Sequence, residues 1–591
     1  MALYLHYVML KFIMSEKIYQ KKINGSVYYY LQKSYRTKVD LKDDGKTKGT
    51  GKSKVVSQTT YLGTAESIKR RLLTIHEPLE VKNRHFGFVA ALLSTAEEIG
   101  LVALLKEQIK GKRYGIDNWK YFIIAIINRL QHATSKEKIG EWALSTVLPD
   151  LLDFDAKKFN SKSFWYATND VISEKELQEK RKTKENLLED VFTNINDSTF
   201  KEIEKQLVKK ILQLYNITPD VTLYDTTNFF TYFSKTNESL FAQNGHSKDD
   251  KHSNRLIGLA LCVDRQYGIP LFHDIYRGNS HDSKTFYQII TELILTIKGL
   301  LKLSNDVTLI IDKGNNSEKN FKQLKNKIEW IGSLSVYNYK ELASIPLEEY
   351  HGTFKGAKYY ELKKEIYGMT FKLVLTYNDI LYRKNEYTFN NNIEKFKAQV
   401  KKKWLEYKKK PKNVTDGIMT MLKNSKHKDY LTINCKKGDL CFKIDKSKTE
   451  EKKKYWGKHI IFSSNLDKTY DNIIEFYNSK DKIEKDFELI KSPDLIRWVP
   501  IRHWTDSKIR AFAFCCVMSL TLIRIMELKL EKENLKMSPN VIKQELQDLQ
   551  QSILIYDEKN AVSKITAKST VQNKLYEIFN LSLYENNLTI H

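Results

Sequence analysis

At 591 residues the chain is long enough for several domains, and 41% hydrophobic residues exclude a globally disordered protein. The formal charge of +26, carried far more by Lys than by Arg, favours a polyanionic partner through counterion release. The five cysteines, Cys262, Cys435, Cys441, Cys515 and Cys516, form no C-x-x-C pair, which argues against a disulfide framework and a structural zinc and for a reducing cytoplasmic compartment.

The opening stretch MALYLHYVMLKFI is apolar but too short to span a bilayer. It lacks a basic n-region and an A-x-A-like cleavage site, so it reads as an early start codon with Met14 as the alternative. Val27 to Leu31 and Val55 to Leu62 read as strands around a basic segment ending GKTKGTGKS. A phosphate loop ending at Gly51-Lys52-Ser53 would need Gly at position 46, where Lys46 stands. A basic hairpin or flexible arm in contact with DNA backbone is the expectation within residues 1–85. From Phe86 to about Leu214 the pattern is mainly helical, clearest over Val89 to Ile109, Trp119 to Gln131 and Leu177 to Leu214. Residues 86–218 are expected to be a helical DNA-binding domain, although no helix-turn-helix signature is present.

The pattern changes at Pro219. Strands are expected over Val221 to about Asp225, Leu256 to Asp264 and Ile269 to Tyr276. Asp282 then caps a helix from Ser283 to about Leu300, a strand runs from Asp306 to Asp312, a helix from Glu318 to Ile328, and a fifth strand from Trp330 to Val336. Three meandering strands followed by helix, strand, helix and strand is the order of a ribonuclease-H-like α/β core. Its first part is assigned to residues 219–337. A β-rich insertion is expected over 338–455, with the basic run Lys401 to Asn413 inside it. The core resumes over 456–530 with a strand at Lys458 to Ser463, an acidic helix, and a buried helix from Lys508 to Glu527. The apolar run Ala511 to Ile523 within that last helix is too short for a membrane span. Residues 531–591 are expected to form a helical tail, with one helix near Val541 to Ser552.

The chemistry concentrates on Asp467 to Ser492, which has no internal Gly or Pro and reads as one helix. At about 100° per residue, Tyr477, Lys480, Glu484 and Lys491 fall within roughly 60° of one another. Phe476, Ile483, Phe487 and Ile490 form the neighbouring apolar stripe. A hydroxyl, a carboxylate and two ammonium groups beside a buried face suit a site for metal and phosphate. Glu488 lies on the same side, so helical geometry alone does not separate it from Glu484. Asp225 and Asp312 are each expected at a strand end, where an isolated Asp is commonly a turn residue. In this core the three places converge. Three carboxylates repel one another, but they suit two hard divalent cations with oxygen ligands, about 3.5–4 Å apart, which activate a nucleophilic oxygen and stabilise a leaving oxygen. His246, His252, His281 and His503 make no H-x-x-x-H pair.

The spacing Tyr477-x2-Lys480-x3-Glu484-x6-Lys491 resembles, with one substitution, the Y-x2-R-x3-E-x6-K signature of DDE transposases of bacterial insertion sequences in the IS-four superfamily. YDTTNFF around Asp225 is similar to their first aspartate segment. RGNSHDSKTF (Arg277 to Phe286) and LIIDKGNNSEKN around Asp312 are similar to the second-strand region and the second aspartate. The resemblance covers roughly Val221 to Leu530 and extends to the hairpin with YLG near the N-terminus. It implies Asp225, Asp312 and Glu484 as catalytic metal ligands, in preference to Glu488, and Tyr477, Lys480 and Lys491 as DNA contacts. It further implies Mg²⁺ as the cofactor, two ions, with Mn²⁺ substituting. The implied partners are double-stranded DNA at terminal inverted repeats and in the target, and a second copy as a homodimer on paired ends, with no membrane. The expected reaction is hydrolytic cleavage at the element's ends and strand transfer, in the cytoplasm on the nucleoid. Lys480 in place of Arg keeps the charge but loses the bidentate fork. Two other readings stand beside this one: a nuclease of the same fold without strand transfer, and a non-catalytic DNA-binding relic.

Overall fold

The computed structural model describes residues 13–38, 53–73, 78–112, 115–172, 197–234, 237, 239–245, 254–301, 307–406, 411–436, 439–499, 501–557 and 560–589. The start-codon stretch, the GKTKGTGKS segment before position 53, residues 177–196 of the expected Leu177 to Leu214 helix, and His246 and His252 lie outside them. The chain divides into two units. One holds the described residues of Met1–Lys82 and Ile553–Ser563, the other those of Asn83–Ser552 and Lys564–Thr589.

The smaller unit is built on an antiparallel meander, β1 (Ile13–Ile23), β2 (Ser26–Lys38) and β3 (Ser53–Gly63), followed by helix Ala65–Leu73. The sequence reading missed β1. Asn24 and Gly25 both have positive φ, 47° and 83°, as a type I′ turn requires, so the Asn-Gly pair was the available signal.

The larger unit is organised on a ten-stranded sheet. Its centre is β4 (Val221–Thr231), buried along nearly its whole length, as is β6 (Arg255–Asp264). Strands covered on both faces carry near-continuous apolar runs, as RLIGLALCVD does, whereas VTLYDTTNFFT buries a polar DTTN in its middle. β4 pairs antiparallel with β6, and β6 with β7 (Pro270–Arg277) and the two-residue β5 (Gln243–Asn244). On its other side β4 runs parallel to β8 (Thr308–Ile310), and β8 to β9 (Glu329–Leu334). Beyond β9 the sheet continues through β15 (Lys458–Ser463), β12 (Met369–Tyr377), β11 (Ala357–Ile366) and β10 (Gly352–Phe354), all antiparallel. Two-residue turns at Lys355-Gly356 and Tyr367-Gly368, with φ positive at all four residues, set these hairpins.

Among the described residues of the expected β-rich insertion, the first three strands extend the central sheet. The rest is largely helical, including a 26-residue helix Asp379–Trp404, apart from the hairpin β13 (Leu431–Lys436) and β14 (Asp439–Ile444).

Alternating residues feed two cores, as the period of two demands. Leu223, Leu259, Leu261, Ile310 and Ile461 face the core shared with the 27-residue helix Asp506–Lys532. Tyr224, Ala260, Cys262, Leu309 and Phe462 face the core shared with helix Asp282–Leu301. The helices at Gly87–Glu98, Leu101–Gln108, Asn118–His132 and Ser198–Tyr215 belong to the first core; Phe200 stacks on Phe514 at 4.4 Å. Gly100, at φ 82°, breaks the expected Val89 to Ile109 helix in two. Helix Asp506–Lys532 is long and apolar enough to cross a membrane, but 89% of its most apolar stretch is buried inside this protein. In the expected helical tail, Pro539–Gln547 is helical, and the chain then turns extended at Gln550–Asp557 and Asn560–Ile565.

Candidate active site

Asp225 lies in the middle of β4, not at its end: the strand continues to Thr231 and Asp225 pairs with Leu261. Asp312 follows β8 by two residues and opens a 3-10 turn at Lys313–Asn315. Glu484 sits in the first turn of helix Asp481–Lys491. The expected single helix is two, Tyr470–Asn478 and Asp481–Lys491. At the junction the N–H groups of Ser479, Lys480 and Lys482 donate to carbonyls three residues back, those of Phe476, Tyr477 and Ser479. Such i→i+3 bonding turns the chain about 120° per residue rather than 100°, so the polar stripe is rephased at Lys480.

Lys480 is the hub. Its Nζ donates to Asp312 Oδ1 at 2.7 Å and stands 4.0 Å from Glu484 Oε1. Burial would lower its pKa, but the charges of Asp225 and Asp312 outweigh that and raise it. Burial likewise pushes the Asp312 carboxyl up, while Lys480 and the N–H groups of Lys313 and Gly314 hold it below the ordinary carboxylate range. A side chain 14% exposed thus meets Asp312 and Glu484 directly and feels the charge of Asp225. Glu484 is itself 62% exposed at the rim. Glu488 is also exposed.

Tyr477 points inward. Its hydroxyl donates to Ser333 Oγ at 2.7 Å, and its ring lies 5.1 Å from that of His459. Burial, with Lys313 and Lys480 nearby, lowers His459 to about 4. Lys491 Nζ is 5.7 Å from the ring of Phe229, four residues beyond Asp225 on β4.

Asp282 begins its helix as expected, but its carboxylate also enters the site. Oδ1 accepts from Thr226 Oγ1 at 2.9 Å, next to Asp225. A Cβ on Gly314 would lie 3.2 Å from Asp282 Oδ2 and 3.8 Å from Asp312 Oδ2. Sequence reasoning set Asp282 aside as a helix cap because nothing local marks which way a capping carboxylate faces.

A family profile described as a transposase DDE domain matches residues 216–520, just over half of the chain. The chain belongs to the DDE transposases. No curated protein matches it. Among solved structures, a cryo-EM piggyBac transposase synaptic complex with hairpin DNA is similar over 81% of each chain, at 12% identity and a TM-score of 0.36. DDE transposases generally use divalent metal ions. The donors here, carboxylate oxygens on β4, after β8 and on the helix of Glu484, have the chemistry hard cations take. Among the described residues no three His, Cys, Asp or Glu are arranged to hold one ion together. Asp312 and Glu484 face the Lys480 ammonium.

Proposed function

We propose that this DDE transposase cleaves DNA at the ends of a bacterial insertion sequence of the IS-four superfamily and joins the freed ends to target DNA. The observation that carries the reading is the convergence on Lys480 of Asp225, Asp312 and Glu484, from three separated stretches of chain. The sheet supports it. Numbered in chain order without the two-residue β5, the five core strands lie in the order 3-2-1-4-5, with the first three antiparallel and the first, fourth and fifth parallel. That is the arrangement expected of a ribonuclease-H-like core.

In this reading Asp225, Asp312 and Glu484 hold two Mg²⁺ or Mn²⁺ ions. The metal supplies charge stabilisation and a nucleophilic oxygen at neutral pH. The protein's own part is positional. Tyr477 ties the first half of the broken helix to β9 through Ser333, which fixes where Lys480 and Glu484 emerge. Lys480 and Lys491 hold phosphates beside the cut. Double-stranded DNA is the substrate, paired ends are held by a homodimer, and the protein works in the cytoplasm on the nucleoid.

The test is cleavage and strand transfer on DNA carrying the element's own ends, with Mg²⁺ or Mn²⁺, comparing wild type with Glu484→Gln. Wild type should cut and join while the variant only binds. A wild type that binds but never cuts with either metal sinks the reading. Supplying a free 3′-hydroxyl end and target plasmid separates a transposase, which joins them, from a nuclease, which does not.

A further inference from the structure

A cleft of about 710 Å³ opens beside the acidic centre. Lys313, next in sequence to Asp312, lines it, together with Ser333 and His459, both of which touch Tyr477. From there it runs between the end of β9 and the helix Asp379–Trp404. Five lysines line it, Lys313, Lys395, Lys426, Lys452 and Lys458, and two histidines, His427 and His459. Among the described residues no aspartate or glutamate does, in a chain with 72 of them. Glu348 and Asp429 act on Lys458 and Lys452 without lining the cleft.

The crowding of positive charge is felt inside it. Burial lowers the pKa of Lys452, with Lys426 adding to the effect, and His427 is lowered by burial and then by both lysines. A concave surface with one sign of charge focuses its field on an anion. The wall also offers aromatic faces. Tyr337, 50% exposed, meets Tyr455 edge-on at 5.7 Å, and both line the cleft.

Resting on the transposase reading above, we propose that this cleft holds a short unpaired stretch of the DNA strand that continues from the scissile phosphate. Size selects a single strand. At about 710 Å³ the cleft lies in the range of small-ligand sites, about 300–1,000 Å³, a volume suited to a few unpaired nucleotides rather than to a duplex. Lysines tracking the backbone with tyrosines for bases to stack on is the chemistry of sequence-tolerant single-strand binding. The position fits as well, since Lys313, the neighbour of Asp312, is part of the lining.

The exposed pair Lys395 and Lys426 tests this without touching the acidic centre. Binding is measured for a fluorescent oligothymidylate and for a blunt duplex of equal length, across a salt series. All proteins carry Glu484→Gln, so no chemistry is needed. Lys395→Glu with Lys426→Glu should weaken the oligothymidylate at least 10-fold and leave the duplex within 2-fold. The single-strand salt slope should flatten by about 1.4, at about 0.7 for each of two phosphates no longer neutralised. An unchanged melting temperature shows that the variant folds. A 5-iododeoxyuridine placed just beyond the scissile phosphate should crosslink to Tyr337 or Tyr455. Equal weakening for both DNAs overturns the proposal in favour of a duplex surface, and no weakening for either overturns it outright. If the chain with Glu484 restored binds oligothymidylate through these lysines yet never cuts DNA carrying the element's ends with Mg²⁺ or Mn²⁺, the transposase reading falls and the single-strand site stands.

Discussion

Two helices of the larger unit are joined by one buried ion pair and do opposite jobs. Asp486, fully buried on helix Asp481–Lys491, receives Arg524 Nη2 of helix Asp506–Lys532 at 2.5 Å. The long helix is unbroken over 27 residues and buried around most of its circumference. The short one is severed from its predecessor at Ser479-Lys480 and buries only Ile483, Asp486, Phe487 and Ile490. An all-round apolar helix has one environment and can stay regular. A helix that must put Tyr477 into the sheet, Lys480 between carboxylates and Glu484 at the rim is asked for three directions within eight residues. A tightened turn supplies the change of phase.

If this division of labour holds, chemistry and stability should separate by helix. Glu484→Gln should reduce cleavage by about 10⁴-fold, equivalent to roughly 5 kcal/mol of activation free energy. Its unfolding midpoint should barely move, because the side chain is 62% exposed; a large drop in denaturation experiments would break the comparison. Phe514→Ala on the long helix should do the reverse. It removes a fully buried ring stacked on Phe200 and should cost about 4 kcal/mol in urea unfolding, while the metal dependence of the folded fraction stays normal. Arg524→Ala leaves Asp486 buried without its charge partner and should cost about 3 kcal/mol. Arg524→Met with Asp486→Leu should recover most of that stability, and failure to recover would mean the pair positions the short helix as well as tying it down.

The smallest expected effect is one of pH. His459 titrates near 4 in the folded chain against 6.5 for the ordinary side chain. Its neutral form is the favoured one, so its contribution to stability is fully present above pH 6.5 and is lost as pH falls toward 4. Between pH 7 and pH 5 wild type should lose at most about 2 kcal/mol that His459→Phe retains. Equal losses in the two proteins would remove His459 from the account.

Apolar runs bounded by turn residues made the strands β4 and β6 to β9 of the central sheet and the buried helix near the C-terminus legible in the sequence, while the two-residue β5 carries no such run. The sequence by itself also picked out Asp225, Asp312, Glu484 and Lys480, three carboxylates and a lysine that the fold then brings together. Other features were decided only in three dimensions. Asp225 proved to lie mid-strand because the polar TTN after it is covered by neighbouring strands, and burial by partners leaves no local mark. The strands at 352–377 joined the main sheet, since edge pairing joins stretches some ninety residues apart along the chain. The break at Ser479-Lys480, which no Gly or Pro announces, follows from where Ser333 and Asp312 stand. Asp282 came to face Thr226 and Gly314 for the same reason: local sequence sets a residue's place along its element, while the packing of elements sets the direction its side chain finally takes.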